Sequence, residues 1–219
     1  IFDYVCRLCF RHLGIVIFEF LGQKDNQKDR EGQGKLQFKH FKKYQGYAKQ
    51  YLHGLLLFLK EVQTPNVLIS TLKTIGGMLV LFAQFTRLAR NLVKILVLVW
   101  SRKTLDCRCM AYVTIRSLID ARPDLFATAY KSCYMGFVSS SRNVSSESWP
   151  LLLFMHRSMA ELTLLQPDIA YQYAFVYIRQ TAIHIRNATI GNKRKDLVQS
   201  VYNWQMMQCL FMWTKIVSH

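Results

Sequence analysis

The chain has 219 residues, of which 51% are hydrophobic, so it can bury the core of one moderate domain or two small ones, which excludes a disordered tail. Lys and Arg total 29 against 13 Asp and Glu, and the resulting net charge is +16 at pH 7. Large partners are therefore expected to be polyanions or acidic protein faces, with nucleic acid first among them. Because the sequence begins with Ile1 inside an apolar stretch, we expect it to be a fragment of a longer protein.

The N-terminal half reads as a series of amphipathic helices. We predict a first helix over 1–21 that ends at Gly22, and a charged loop near 22–37 follows it. The next helices are predicted over 38–62 and from Thr64-Pro65 onward, the second weakened by Gly76-Gly77, where a kink or a close helix contact is expected. Further helices are predicted over 85–101 and 104–122.

The same pattern continues in the C-terminal half. Helices are predicted over 124–138, 148–166, 167–190 and 195–217, and a serine-rich loop lies near 139–147. No alternating strand pattern of useful length occurs. We therefore predict an all-α fold in which antiparallel helix hairpins form HEAT/armadillo-like repeats within a single domain over 1–219. A closed helical bundle is the alternative.

One stretch of the sequence has the length of a membrane span, and another has the residue spacing of a metal site. The uncharged stretch 197–214 is long enough to span a bilayer, but it carries several Asn and Gln side chains that would lack partners in hydrocarbon. Cys6, Cys9 and His12 have a ligand-like spacing, yet a structural zinc ion needs four ligands and no second pair follows. We predict no membrane contact, no metal and no cofactor.

Catalysis is not expected either. The six cysteines lie in apolar segments without the spacing of a disulfide framework, which indicates buried thiols in an intracellular protein. The nucleophile-elbow, phosphate-loop and dinucleotide-binding glycine motifs are all absent. His184, the most suggestive histidine, has only Asp196 as a carboxylate near it in sequence. We predict a protein without a small-molecule substrate.

Positive charge is concentrated in three segments of the sequence that contain basic residues and no acidic residue: 35–60, 62–105 and 169–195. Basic residues at loops and helix ends can reach phosphate oxygens without being held by helix packing. The candidate RNA-binding residues are Lys39, Lys42, Lys43, Lys193, Arg194 and Lys195. Solvated helix faces are the alternative explanation for any single window.

A polar stripe is predicted on the helix over 167–190. Its members recur at spacings of four and three and therefore share one side of the helix, with two arginines on an adjacent face. The stripe and the segment "VYNWQ" that follows could bond a neighbouring helix or meet a partner; we favour the first, with Trp204 as a core anchor and Asn203 or Gln205 as a helix-to-helix bond. The residues concerned are Tyr173, Tyr177, Arg179, Gln180, His184, Arg186, Asn187, Asn203, Trp204 and Gln205.

Several of these segments resemble one known family. "AYQYAFVYIRQTAIHIRNA", "VYNWQMMQCLFMW", "FMHRSMAEL" and "LVKILVLVWS" are similar to the nucleolar complex protein 2 family of eukaryotic ribosome-assembly factors. The resemblance implies a non-catalytic protein of the nucleus, nucleolus and nucleoplasm. It also implies hetero-oligomers with sister nucleolar-complex proteins, and association with precursors of the large ribosomal subunit during rRNA processing, maturation and transport.

The sequence therefore predicts two alternative functions. The first is a ribosome-biogenesis scaffold that binds a sister protein through apolar helix faces and pre-ribosomal RNA through basic edges. The second is a chromatin-associated transcriptional regulator whose basic surface binds histones or DNA.

Overall fold

The computed structural model describes residues 2–22, 38, 40–190 and 195–218 of the chain. Within these residues eleven α-helices and one 3-10 turn at Pro123–Leu125 occur, and no strand is present. The helices are α1 (Phe2–Leu21), α2 (Phe41–Glu61), α3 (Pro65–Gly77), α4 (Leu79–Gln84), α5 (Thr86–Arg102), α6 (Leu105–Ala121), α7 (Phe126–Ser140), α8 (Trp149–Leu165), α9 (Pro167–Ile190), α10 (Lys195–Val201) and α11 (Trp204–Val217). The all-α prediction is confirmed for the described residues, whereas the HEAT-like repeat type stays a prediction.

Glycines mark two of the helix ends. Gly22 has a φ of 62° and its N–H donates to Glu19 O at 3.0 Å, so the left-handed conformation that glycine tolerates ends α1 as predicted. Helix α3 ends at Gly77. Met78 has non-helical backbone angles, and a new helix, α4, begins at Leu79. No heavy atom lies within 4 Å of a Cβ built on Gly76 or Gly77, so the expected irregularity is a break rather than a close contact.

The last predicted helix is wrong in one respect. Instead of a continuous helix over 195–217, α10 ends at Val201 and α11 begins at Trp204. Asn203 has extended backbone angles and its side chain accepts a hydrogen bond from the Met206 N–H at 2.8 Å. An asparagine oxygen that caps a new helix competes with continuation of the preceding one, which explains the break.

The described residues divide into two compact units. The first comprises 1–96 and 109–123. In it α1 packs against α2 and α3, which also pack against each other, and Phe10 meets Phe58 edge-on at 5.5 Å. The guanidinium of Arg122 donates to Ala83 O at 2.9 Å and so joins the end of α6 to α4. The core of this unit is mainly leucine.

The second unit comprises 97–108 and 124–219. Here α7, α8 and α9 pack against one another, α11 packs on α7 and α8, and α10 packs on α9. The buried Trp100 indole donates to Ser158 Oγ at 3.1 Å. Gly136 permits a close approach of α7, because a Cβ there would lie 3.2 Å from Val97 Cγ1. The prediction of one domain over 1–219 is not tested by this division and stays a prediction.

Candidate interaction surfaces

Two residues of the predicted polar stripe make aromatic contacts within the second unit. Tyr173 and Tyr177 of α9 are half-buried and face α7, where Tyr173 lies 6.3 Å from Tyr130 and Tyr177 lies 3.9 Å from Tyr134 between ring centroids. Burial raises the pKa of the Tyr177 hydroxyl, and the neighbouring Tyr173 and Tyr130 add to the effect. These two tyrosines hold α9 on α7 by ring packing rather than by a hydrogen-bond ladder.

The other three residues of the stripe face solvent. Gln180, His184 and Asn187 are exposed along the following turns of α9, and Arg179 and Arg186 are exposed on the adjacent face. The structure therefore does not bring the whole stripe against a neighbouring helix. Its exposed members stay candidates for contact with a partner.

The segment "VYNWQ" places its side chains in three different settings. Asn203 caps α11, and its Nδ2 also donates to Ser200 O at 2.6 Å. Gln205 Nε2 donates to Val138 O at 2.7 Å and links α11 to α7, so Gln205 makes the helix-to-helix bond. Trp204 is 55% exposed, and the prediction that it anchors the core is wrong because this side of α11 points away from α7 and α8.

An apolar surface runs along the solvent side of α11. Its residues recur every three or four positions, so they lie on one side of the helix, and Thr214 is the one polar residue among them. We call this set the α11 apolar face: Trp204, Met207, Leu210, Phe211, Thr214 and Val217. Contiguous exposed apolar side chains of this size are typical of protein-protein contact sites.

A buried polar cluster lies where α8 and α11 pack together in the second unit. His156 and Gln208 are both buried, and His156 meets the Phe137 ring edge-on at 5.2 Å between centroids. Burial, followed by the positive charge of Lys215, lowers the pKa of His156 to about 4, and the nearby Gln208 opposes the shift only in part. His156 Nε2 and both Gln208 amide atoms have no hydrogen bond of good geometry to the described residues. The imidazole is therefore neutral at pH 7.

Burial also makes two thiols of this unit, those of Cys133 and Cys209, poor nucleophiles. It raises the pKa of Cys133 to about 12 and that of Cys209 to about 11, so neither side chain supplies a thiolate near neutral pH. No group of three or more His, Cys, Asp or Glu within the described residues has a geometry that could hold a metal ion. This environment suits packing and not nucleophilic chemistry.

An open cavity lies in the first unit between α1 and α2. It has a volume of about 430 Å³ and is lined by apolar and tyrosine side chains, among them Phe20, Tyr44 and Tyr47. No acid, base or thiol lines it, so it carries no constellation for acid-base catalysis. Among the helices described, none combines the length and the apolar character that a membrane crossing requires.

The predicted RNA-binding residues are only partly within the described chain. Lys42 and Lys43 are exposed in the first turn of α2, and Lys43 Nζ lies 5.3 Å from the Tyr44 ring centroid. Lys39, Lys193 and Arg194 lie outside the described residues, and of Lys195 only its backbone position at the start of α10 is described. That these six residues bind RNA stays a prediction.

A second basic surface lies outside the RNA-binding residues that the sequence predicts. It lies on α5, where Arg87, Arg90, Asn91 and Lys94 are exposed while all six other residues of 88–96 are buried. We call these four residues the α5 basic strip. Their spacing of three and four inside an acid-free window was the signal that could have identified them.

A profile described as the Noc2p family matches residues 124–219. The chain carries a Noc2p family region. The resemblance inferred from the sequence is thereby confirmed.

The similarity extends beyond the Noc2p region. The nucleolar complex protein 2 homolog of Caenorhabditis elegans is 48% identical over the whole chain, which covers 30% of that protein. Nucleolar complex protein 2 of Drosophila melanogaster is 33% identical over 99% of the chain and 28% of its own length. Nucleolar complex-associated protein 2 of Arabidopsis thaliana is 28% identical over 81% of the chain and 23% of its own length. The chain thus spans less than a third of each of these relatives.

The Noc2p region contains α7–α11 and therefore the tyrosine contacts, the buried His156 cluster and the α11 apolar face. The predicted basic residues of α2 and the α5 basic strip precede it in sequence. The two kinds of surface consequently lie in different parts of the chain.

Proposed function

We propose that the protein is a non-enzymatic ribosome-biogenesis factor that acts as a scaffold in a nucleolar complex. It would accompany precursors of the large ribosomal subunit during maturation and transport through the nucleolus and nucleoplasm. The observation that carries this proposal is the 48% identity, over the whole chain, to a protein named nucleolar complex protein 2 homolog. Its place in a complex rests on the names of the relatives and on the exposed apolar surface of α11.

The proposed protein partner of the α11 apolar face is a sister nucleolar-complex protein. The face carries no charged side chain and only one hydroxyl, that of Thr214, so it offers little to a phosphate backbone. It does offer a ridge of large side chains at helical spacing, which fits the apolar side of a second helix. A scaffold that pairs with a sister protein requires such a surface.

The proposed RNA contact rests on charge. The net charge of +16 favours polyanions, and the candidates Lys39, Lys42, Lys43, Lys193, Arg194 and Lys195 would contact phosphates of pre-ribosomal RNA without reading sequence. The same charge suits the second candidate function, a chromatin-associated regulator that binds histones or DNA.

Crosslinking followed by sequencing separates the two functions. The full-length protein is crosslinked in cells, purified under denaturing conditions, and its bound nucleic acid and proteins are identified. Enrichment of large-subunit precursor RNA together with sister nucleolar-complex proteins is expected. Recovery mainly of histones or DNA would overturn the ribosome-biogenesis proposal.

A further inference from the structure

The α5 basic strip is the solvent side of the part of α5 that belongs to the first unit. From Leu88 to Leu96 the only exposed side chains are those of Arg90, Asn91 and Lys94, and Arg87 continues the strip by one turn. The buried residues on either side have at most 5% of their surface exposed. The strip is thus narrow, and its backbone is held by packing.

The composition of the strip is unusual for a surface that only faces water. Solvent-facing helix surfaces commonly alternate acids and bases, because opposite charges three or four residues apart stabilise the helix and like charges destabilise it. Here Arg87 and Arg90 are three apart, and Arg90 and Lys94 are four apart, so both pairs repel. No hydrogen bond or ion pair to these three cations is present among the residues that the structure describes. Repulsion that the fold tolerates without compensation indicates a binding role.

A packing contact brings the predicted basic residues of α2 to the same region. The Phe41 and Phe85 rings lie 5.7 Å apart between centroids, and each ring stands at or next to the first residue of its helix. The first turn of α2, with the exposed Lys42 and Lys43, therefore lies beside the beginning of α5, where Arg87 opens the strip. The first turn of α2 contains no acid.

We propose that the α5 basic strip, together with Lys42 and Lys43, binds the phosphate backbone of RNA. From Arg87 to Lys94 the helix rises about 10 Å, over which one nucleic-acid strand presents roughly three phosphates. Arginine guanidinium groups bind phosphate oxygens in pairs, and the Asn91 amide adds a neutral donor. This inference rests on the proposed function and assigns its RNA contact to a surface.

The occupant is argued to be RNA and not an acidic peptide. A peptide bound by a protein surface gains most of its affinity from a few apolar or aromatic anchors, and the strip offers none between Arg87 and Lys94. A nucleic-acid strand needs only phosphate contacts to bind. If the strip binds RNA, removing its cations should weaken RNA binding. If it binds an acidic peptide instead, the same change should weaken peptide binding and leave RNA binding in place.

The test measures the salt dependence of RNA binding. The full-length protein with Arg87→Gln, Arg90→Gln and Lys94→Gln is compared with a control carrying Lys131→Gln, Arg142→Gln and Arg157→Gln, which removes three exposed charges from the second unit. Affinity for a short RNA duplex, and separately for poly-glutamate as an acidic peptide, is measured by fluorescence anisotropy at several salt concentrations. The slope of log affinity against log salt is negative. Its magnitude is expected to decrease by about 2 to 3 for the strip variant and to change little for the control.

Three results would overturn the proposal: an unchanged slope for the strip variant, an equal change in the control, or loss of poly-glutamate binding with RNA binding retained. Circular dichroism should show that both variants keep the helical fold, because all six side chains are exposed. The proposed function fails separately, if the unaltered protein recovers no large-subunit precursor from cells. Recovery of precursor with an unchanged slope would leave the function intact and refute only the strip.

Discussion

The aromatic rings of Tyr134 and Tyr177 stack face to face, with centroids 3.9 Å apart and an interplanar angle of 14°. Tyr134 lies on α7 and Tyr177 on α9, and the same Tyr134 ring lies 5.5 Å from Trp213 of α11. One side chain therefore joins three helices of the second unit. Burial is the main cause that raises the pKa of Tyr134, which keeps its hydroxyl neutral under all physiological conditions.

Replacing Tyr177 by alanine is expected to loosen α9 from α7. Loss of the stacked pair and of its partly buried ring should lower the free energy of unfolding by about 2 kcal/mol, measured by urea denaturation followed by circular dichroism. Tyr171→Ala is the matched control on the same helix, because that ring is 68% exposed, and it should cost less than about 0.5 kcal/mol. Equal losses in the two variants would contradict a stabilising role of the stack.

The cap at Asn203 gives a second prediction. Asn203→Ala removes the acceptor of the Met206 N–H bond and should destabilise the protein by about 1 kcal/mol. Asn203→Asp keeps that acceptor and should recover most of the loss, whereas Asn187→Ala, at an exposed position of α9, should have almost no effect. If Asn203→Ala were as stable as the unaltered chain, the break between α10 and α11 would not depend on the cap.

The buried His156 makes stability depend on pH in a defined window. Its pKa is about 4 in the folded protein against 6.5 for an ordinary histidine, so the unfolded chain binds more protons between these pH values. The contribution of the neutral His156 to stability is therefore fully present above about pH 6.5, and it is lost as the pH falls toward 4. Denaturation midpoints measured across this range should show the decrease.

Two variants separate His156 from other titrating groups. His156→Phe removes the titration and should flatten the pH dependence between 6.5 and 4, whatever its effect on absolute stability. His184→Phe alters an exposed imidazole of α9 and should leave that dependence in place. A full dependence in the His156→Phe variant would assign it to carboxylates instead.

The α11 apolar face gives the fourth prediction. Trp204→Ser with Phe211→Ser should reduce co-purification of a sister nucleolar-complex protein by at least about tenfold, because central aromatic side chains carry most of the energy of an interface. Stability should change by less than about 1 kcal/mol, since both rings are already more than half exposed. The control, Tyr171→Ser with Phe175→Ser, removes two comparably exposed rings from α9 and should retain the partner. Retention by the α11 variant would place the docking surface elsewhere.

The basic strip of α5 shows how much of a surface can be read from sequence. Arg87, Arg90 and Lys94 recur at helical spacing within a window that lacks acids, and every other position between them except Asn91 is apolar. Periodicity alone therefore predicts which side faces solvent. It does not predict that the start of α2 lies beside this side, because the Phe41–Phe85 contact joins residues far apart in the chain.

Trp204 shows the opposite case. The sequence of α11 is apolar around most of its circumference, so no periodicity distinguishes the side that meets α7 and α8 from the side that meets solvent. Residue type alone predicts that Trp204 lies in the core, and that prediction is wrong. The bond from Gln205 to Val138 orients the helix, and that bond exists only once α7 and α11 have packed.

By itself, the sequence determined the all-α class, most helix boundaries, the basic character and the family resemblance. Each of these depends on local spacing, on residues with special backbone preferences such as Gly22, or on the sum of charges. Only the tertiary structure decided which side of α11 is exposed, that Tyr173 and Tyr177 of the α9 stripe pack on tyrosines of α7, and that His156 is buried and neutral. These properties arise from contacts between residues distant in sequence, whose desolvation and packing no local pattern records.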